Sequence, residues 1–262
     1  MNINRTIGGI LHKFGYEVRR AGRGALVDPY EDQVSLLDGR REVTTILDVG
    51  ANIGQTAHRY RALFPRADVY SLEPFEGTFN TLAKAFRDDP KVKPRRVALA
   101  EASGTKTFHL NRNDVTNSLL PAAADSFDHV PASMTETLST IEVPARTLDE
   151  FLDDEGIVDL PILKLDVQGA ELIVLDGARR TLDAGRIDIV YTEVSFAELY
   201  SGGADFCAIR ARMAEHRYVL YGLYGLNQGS SGLLAWGDAL FISPSLREAM
   251  RRHPSSGAGG RP

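Results

Sequence analysis

The sequence predicts an α/β fold in which helices cover both faces of a mostly parallel sheet. Short apolar runs, typical of buried strands, alternate with helical patterns along most of the chain. Acidic residues stand at the carboxyl end of four of these runs, at Asp48, Glu73, Asp166 and Glu193. Because the carboxyl ends of parallel strands share one edge of a sheet, we expect these four side chains to converge on one crevice.

Composition limits the classes of protein that need to be considered. A chain of 262 residues with 43% hydrophobic residues can bury one substantial core. Its net charge of −5 gives no electrostatic case for nucleic-acid binding. The single cysteine, Cys207, excludes an internal disulfide framework. No apolar run approaches the roughly 18 residues of a membrane span, and no signal-peptide pattern is present, so we expect a cytoplasmic protein.

The order of elements follows from periodicity and from the positions of Gly and Pro. Strands are predicted over residues 45–49, 69–72, 93–99, 161–165 and 187–192, and a half-buried strand over 105–110; regular structure is expected to resume at 141–145. Helices are predicted over 29–37, 55–63, 77–86, 148–152 and 205–216, with a further helix from residue 169 to a cap at Gly177. Residues 218–224 and 233–242 indicate a hairpin, which would insert one antiparallel strand.

Domain organisation is simple. Residues 1–40 are predicted to form an N-terminal helical extension, with an amphipathic helix over 2–14. One domain is predicted over 41–243, and residues 244–262 are predicted to be a flexible tail. Residues 111–140 lack periodicity and are rich in Asn, Ser, Ala, Asp and Pro, which indicates a lid-like insertion near the substrate.

The turn after the first strand carries the strongest local signal. Residues 46–54 read ILDVGANIG, so that an apolar run is followed by two glycines and then by a helical pattern from Gln55. The turn lacks the Gly-Lys-Ser/Thr of a phosphate-binding P-loop and the Gly-x-Gly-x-x-Gly of a dinucleotide fold. Glu73 lies about one βα unit further on, at the spacing where an acid accepts from the two hydroxyls of a ribose.

Several motifs in this order resemble the FkbM family of S-adenosylmethionine-dependent methyltransferases. The resemblance covers roughly residues 28–242 and rests on segments 48–54 (DVGANIG), 73–74 (EP), 97–104 (VALAEASG), 146–152 (RTLDEFL), 162–171 (ILKLDVQGAE) and 237–241 (GDALF). It implies a Rossmann-like class I methyltransferase fold with seven strands and an antiparallel last strand. One position departs from the family, which usually has Glu where this chain has Gln168.

The resemblance also implies a cofactor site for S-adenosyl-L-methionine. The glycine turn would hold the methionine part through Asp48, Gly50, Ala51, Asn52 and Gly54. Glu73 would hold the ribose, and the adenine would lie between Pro74-Phe75 and Ala98-Leu99. Asn117 and Ser118 resemble a short serine-containing loop near the site.

Methyl transfer to an alcohol benefits from a general base, for which three acids are candidates. Asp166 is the first choice because it ends the central strand, and Glu193 and Glu171 follow. Glu171 could instead be a first-turn helix acid stabilised by the helix dipole. Asp166 and Glu193 could alternatively share a divalent cation such as Mg²⁺. His58 and His129 are weaker candidates.

The predicted function is that of an O-methyltransferase acting on a hydroxyl of a sugar, glycan or glycosylated small molecule. The first alternative is an NAD-dependent sugar oxidoreductase, which would also use Glu73. The missing glycine pattern and the absence of a Tyr-x-x-x-Lys pair disfavour it. The second alternative is a degenerate binding or scaffold module with the same fold, favoured only by Gln168.

Overall fold

The computed structural model describes residues 28–124, 126, 135–230 and 232–252. Ten strands are present in this part of the chain: β1 (Thr45–Val49), β2 (Asp68–Leu72), β3 (Val92–Arg95), β4 (Ala98–Leu99), β5 (Gly104–Asn111), β6 (Thr137–Arg146), β7 (Leu160–Leu165), β8 (Ile187–Ser195), β9 (Val219–Gln228) and β10 (Leu234–Ile242). The helices are α1 (Pro29–Leu37), α2 (Gln55–Leu63), α3 (Glu76–Ala85), α4 (Leu148–Asp154), α5 (Glu171–Asp176), α6 (Arg179–Asp183), α7 (Phe206–Glu215) and α8 (Pro244–Arg252).

The main sheet has seven strands in the order β3-β2-β1-β7-β8-β10-β9. Strands β3, β2, β1, β7 and β8 are parallel, whereas β10 runs antiparallel to both β8 and β9. This topology confirms the predicted α/β fold and its inserted antiparallel strand.

Alternating side chains of the central strands pack into two separate hydrophobic cores. Leu47 and Leu163 pack in one buried cluster, and Ile46 and Ile162 pack in the other. Successive side chains of a strand point to opposite faces, so each cluster lies under one layer of helices. Burial on both faces explains why these strands read as continuous apolar runs.

A second, three-stranded sheet has the order β4-β6-β5. The predicted strand over 93–99 is therefore wrong in one respect, because it is two strands in different sheets. Residues Val92–Arg95 pair with β2, whereas Ala98–Leu99 pair with β6. The chain leaves the main sheet at Arg96 and Val97, and this change of partner has no local signal.

Helix α1 packs on the domain core. Its N-cap Asp28 accepts from the backbone N–H of Tyr30 at 2.8 Å, and Pro29 occupies the first turn. Leu36 and Leu37 are 3% and 1% exposed within a core cluster that also contains β1. The described part of the predicted N-terminal extension is thus continuous with the domain. The predicted helix over 2–14 lies outside the described residues.

Two further boundaries differ from prediction. The predicted flexible tail from residue 244 is wrong over Pro244–Arg252, which form α8 with Leu246 buried. Strand β8 continues through Glu193 to Ser195, because pairing with β10 extends the ladder beyond the end of β7. None of the described helices is long and apolar enough to cross a membrane.

Candidate functional site

A cavity of about 440 Å³ opens at the carboxyl edge of the main sheet. Ten residues predicted for the site line it: Gly50, Ala51, Asn52, Glu73, Pro74, Ala98, Leu99, Asn117, Asp166 and Glu193. The cavity therefore brings together the ends of β1, β2, β7 and β8, as the strand-end carboxylates predict.

The glycine turn is shaped by close backbone contact. Gly50 has φ +78°, and a Cβ added there would lie 1.9 Å from the carbonyl oxygen of Asp166. The N–H groups of Gly50 and Ala51 donate to Leu72 O at 3.0 and 2.9 Å. Only glycine fits this position, which lets the chain pass between the ends of β2 and β7.

Glu73 is held at the end of β2 by two backbone donors. Its Oε2 accepts from Asn52 N and its Oε1 from Phe75 N, both at 3.0 Å. Burial raises the pKa of Glu73, and the backbone donors, with Phe75 N foremost, act in the opposite direction. Each oxygen keeps a lone pair that can accept from a second donor, so the fixed carboxylate suits a pair of neighbouring hydroxyls.

A buried lysine joins the acids of the two central strands. Lys164 lies opposite Asp48 in the pairing of β7 with β1, and its Nζ is 3.4 Å from Asp48 Oδ1 and 3.1 Å from Asp166 Oδ2. Burial opposes the charge of Lys164, but Asp166 and Asp48 together raise its pKa. Burial likewise raises the pKa of Asp48, and Lys164 opposes that shift. The lysine neutralises charge beneath the cavity.

Gln168 connects the two carboxylates at the ends of β7 and β8. Its Nε2 donates to Asp166 Oδ1 at 2.7 Å and to Glu193 Oε2 at 2.9 Å. Its Oε1 accepts from the hydroxyl of Tyr200 at 2.8 Å, which fixes the amide orientation. Gln168 has φ +57°, an unusual conformation for a residue other than glycine.

The Gln168 bridge also bears on the predicted divalent cation. An amide NH₂ group lies between Asp166 and Glu193, where a shared cation would need the facing oxygens of both carboxylates. Among the described residues, no group of three or more His, Cys, Asp or Glu side chains is placed to hold a metal ion. The arrangement does not fit the predicted Mg²⁺ site.

Glu193 and Asp166 differ in how many of their carboxylate oxygens accept a hydrogen bond. Both oxygens of Asp166 accept from donors, namely Lys164 and Gln168. Only Oε2 of Glu193 is engaged by a described side chain. Burial, then the neighbouring charges of Asp166 and Glu171, raise the pKa of Glu193 well above its ordinary value. The oxygen that no described side chain engages makes Glu193 the better candidate for a general base on geometry.

Five predicted site residues do not line the cavity: Asp48, Gly54, Phe75, Ser118 and Glu171. Asp48 lies beneath it as the partner of Lys164. A Cβ at Gly54 would meet the Phe86 ring at 2.5 Å, so this glycine serves the packing of α2 on α3. Phe75 packs against the small second-sheet core.

Glu171 has a structural environment. Glu171 is 2% exposed to solvent, and its Oε1 accepts a hydrogen bond from Val167 N at 3.0 Å. Burial raises its pKa to about 7. Since it faces the turn and not the cavity, the geometry supports the helix-acid alternative over the predicted catalytic role.

Ser118 attaches the predicted lid to the turn that follows β7. Its hydroxyl is buried and donates to Gln168 O at 2.7 Å, and the same oxygen accepts from Leu120 N at 3.0 Å. Asn117, beside it, lines the cavity. The described part of the insertion therefore forms a wall of the cavity, fixed near residues 167–168.

Among the cavity residues that sequence reasoning missed are Lys164, Tyr200 and Trp236. A lysine inside the buried run of β7 was an available signal, because a charge in such a run needs a partner. Tyr200 and Trp236 follow no motif and reach the cavity through a loop and the antiparallel strand. Of the weaker candidates, His58 packs on Phe86 with ring centroids 4.3 Å apart, and His129 lies outside the described residues.

Comparisons with known proteins agree with the fold and the motifs. The family model described as "Methyltransferase FkbM domain" matches residues 48–220. The chain is 29% identical over 180 residues to 2-O-methyltransferase NoeI of Sinorhizobium fredii, an alignment that covers 67% of this chain and 72% of that one. It is 30% identical over 156 residues to hexuronic acid methyltransferase AglP of Haloferax volcanii, covering 59% of this chain and 58% of that one.

Proposed function

Because the chain belongs to the FkbM methyltransferase family, we propose that its cavity transfers a methyl group from S-adenosyl-L-methionine to a hydroxyl of a sugar or glycosylated molecule. Membership of a methyltransferase family leaves no support for the oxidoreductase and scaffold alternatives. The observation that carries the proposal is that one cavity contains both groups of residues. Gly50 and Glu73 line its first end, and Glu193 lines its second end.

The residues at the first end fit the cofactor. Glu73 presents a fixed carboxylate to two ribose hydroxyls, and the Gly50 turn lines the cavity beside it. Ala98 and Leu99, with Pro74, supply apolar walls of the kind an adenine ring needs. The bound cofactor supplies a methyl group activated by a sulfonium sulfur.

The residues at the second end fit the acceptor. Glu193 Oε1 would accept the proton of the acceptor hydroxyl, and the bound cofactor would supply the methyl group to the acceptor oxygen as its own methyl–sulfur bond breaks. Gln168 holds Glu193 and Asp166 apart and in place. Alignment of the acceptor oxygen accounts for several further kcal/mol of the barrier in reactions of this kind. The name of AglP supports a sugar as the class of acceptor.

Replacement of Glu73 tests the cofactor end. Glu73→Gln keeps the shape but replaces one acceptor oxygen with an NH₂ group, so we expect at least tenfold weaker binding of S-adenosylmethionine in calorimetric titration. Glu76→Gln is the matched control, because Glu76 pairs with Arg96 and does not line the cavity. Equal affinities for both variants and the native protein would contradict the placement of the ribose.

A further inference from the structure

Trp236, the single tryptophan of the chain, lines the cavity from near the start of strand β10. It pairs with Ser195 across the β8–β10 ladder, while Glu193 pairs with Asp238. Directly paired residues of an antiparallel ladder share a face, and so do residues two apart along a strand. Trp236 and Glu193 therefore lie on the same face as diagonal neighbours, about 7–8 Å apart.

This separation suits a sugar ring. A pyranose whose C–H face packs on the indole would extend one hydroxyl towards Glu193. The order of strands places Trp236 at the end away from Glu73, since β10 is separated from β2 by β1, β7 and β8. Trp236 therefore lies on the acceptor side of the cavity.

Among the described residues that line the cavity, acidic side chains outnumber basic ones, and none of them is an unpaired cation. Lys164 is the basic residue among those that line the cavity, and it is engaged by Asp48 and Asp166. Glu193 and Asp114 contribute further carboxylates to the walls. The insertion over residues 111–140 contains one Arg and no Lys, and this residue, Arg112, is paired with Glu136. A carboxylate on the acceptor would lose its hydration here, would lie near other negative charges and would find no cation to pair with. Its binding would therefore be unfavourable.

We propose that the acceptor end of the cavity takes an uncharged sugar ring packed on Trp236 and rejects uronic acids. The inference rests on the proposed sugar methyltransferase function and narrows its substrate class. It separates this chain from the relative whose printed name specifies hexuronic acid.

Matched acceptors test the charge selection with the native protein. Methyl glucoside with methyl glucuronide, and methyl galactoside with methyl galacturonide, differ only in a carboxylate. We expect kcat/KM to be at least about 100-fold higher for the neutral member of a pair, which corresponds to about 2.7 kcal/mol. Preference for a uronide would overturn this inference while leaving sugar methylation in place. Methylation of none of the sugars, with S-adenosylmethionine still bound, would overturn the proposed function and the inference together.

Variants of Trp236 test the packing face. Trp236→Ala should raise KM for the neutral sugar at least tenfold with a smaller change in kcat, and Trp236→Phe should restore most of the loss. Affinity for S-adenosylmethionine should stay unchanged in both, which also reports that the variants fold. Leu226→Ala is the control on the same hairpin, since Leu226 is 50% exposed and does not line the cavity. An unchanged KM in a Trp236→Ala protein that binds the cofactor would overturn the inference.

Discussion

Gln168 shows how one side chain can set the roles of two acids. Its Nε2 donates to both Asp166 and Glu193, and its Oε1 accepts from Tyr200. A glutamate at this position, as the family usually has, would add a third negative group between two carboxylates. The amide instead separates them and engages Oε2 of Glu193, and both oxygens of Asp166 accept from Lys164 and Gln168. In the proposed mechanism this leaves Oε1 of Glu193 for the base.

Glu193→Gln should lower kcat by about 10²–10⁴-fold while affinity for S-adenosylhomocysteine is retained, because only the proton acceptor is lost. The native rate should rise with pH through the raised pKa of Glu193, since the base must be ionised. This rising limb should disappear in the variant. Glu198→Gln, at an exposed acid of the following loop, is the control. A native rate for Glu193→Gln would remove Glu193 from the chemistry.

Glu171→Gln should preserve activity and change the pH dependence of stability. The folded protein retains the Glu171 proton up to about pH 7, whereas an unfolded glutamate loses it near its ordinary pKa. The stabilising contribution of Glu171 is therefore full at low pH and lost as pH rises through about 7. Because Gln resembles the protonated acid, the variant should be more stable than the native protein at pH 8 by roughly 1–3 kcal/mol, measured by urea denaturation. Identical pH profiles would show that Glu171 carries no retained proton.

At the scale of elements, the glycine turn is the part on which the cofactor site depends. It connects β1 to α2, its N–H groups donate to Leu72 O of β2, and it passes against Asp166 O at the end of β7. Three strands of the sheet thus meet at Gly50. A side chain there would separate the ends of β1 and β7.

Gly50→Ala should abolish binding of S-adenosylmethionine and destabilise the fold by more than the roughly 1–2 kcal/mol that left-handed backbone costs an alanine. Gly39→Ala is the matched control, because Gly39 also has positive φ, +66°, but a Cβ there would meet no atom within 4 Å. Thermal unfolding and calorimetric titration measure both effects. Equal losses of stability in the two variants would contradict the contact with Asp166 O.

The bounds of strands and helices could be predicted from sequence where the residues that determine them are close together in the chain. The bounds of β1 and α2 follow from an apolar run, a glycine turn and a helical pattern within 20 residues. The separation of β3 from β4 could not be predicted, since it depends on β6, about 40 residues further along the chain. The ion pair of Lys164 with Asp48 could not be predicted for the same reason. It forms only because β7 pairs with β1.

At the scale of the whole molecule, α1 and the main sheet form one core. Tyr224 of β9 donates to Asp32 at 2.8 Å, and Tyr60 of α2 donates to Gln33 at 3.1 Å. The ring of Tyr30 packs against Tyr60 at 5.3 Å between centroids. The helix before the first strand thus supports the sheet from the side that carries α2.

Leu37→Ala should lower the free energy of unfolding by about 2–5 kcal/mol, because the side chain is 1% exposed and its removal leaves a cavity. Val158→Ala, at a side chain that is 79% exposed, should change it by less than about 0.5 kcal/mol. Urea denaturation measures the free energy of unfolding of both variants, provided that their m-values are the same. A small effect at Leu37 would mean that α1 is an appendage, as the predicted boundary at residue 41 has it.

The central claim is that this cavity moves a methyl group from S-adenosylmethionine to a sugar hydroxyl with Glu193 as base. The most direct measurement is transfer of an isotope-labelled methyl group to a panel of neutral glycosides, followed by mass spectrometry, with native protein and Glu193→Gln side by side. We predict labelled O-methyl sugar with the native protein and at least a 100-fold slower rate with the variant. Cofactor binding without any labelled sugar, or equal rates for the two proteins, would contradict the account.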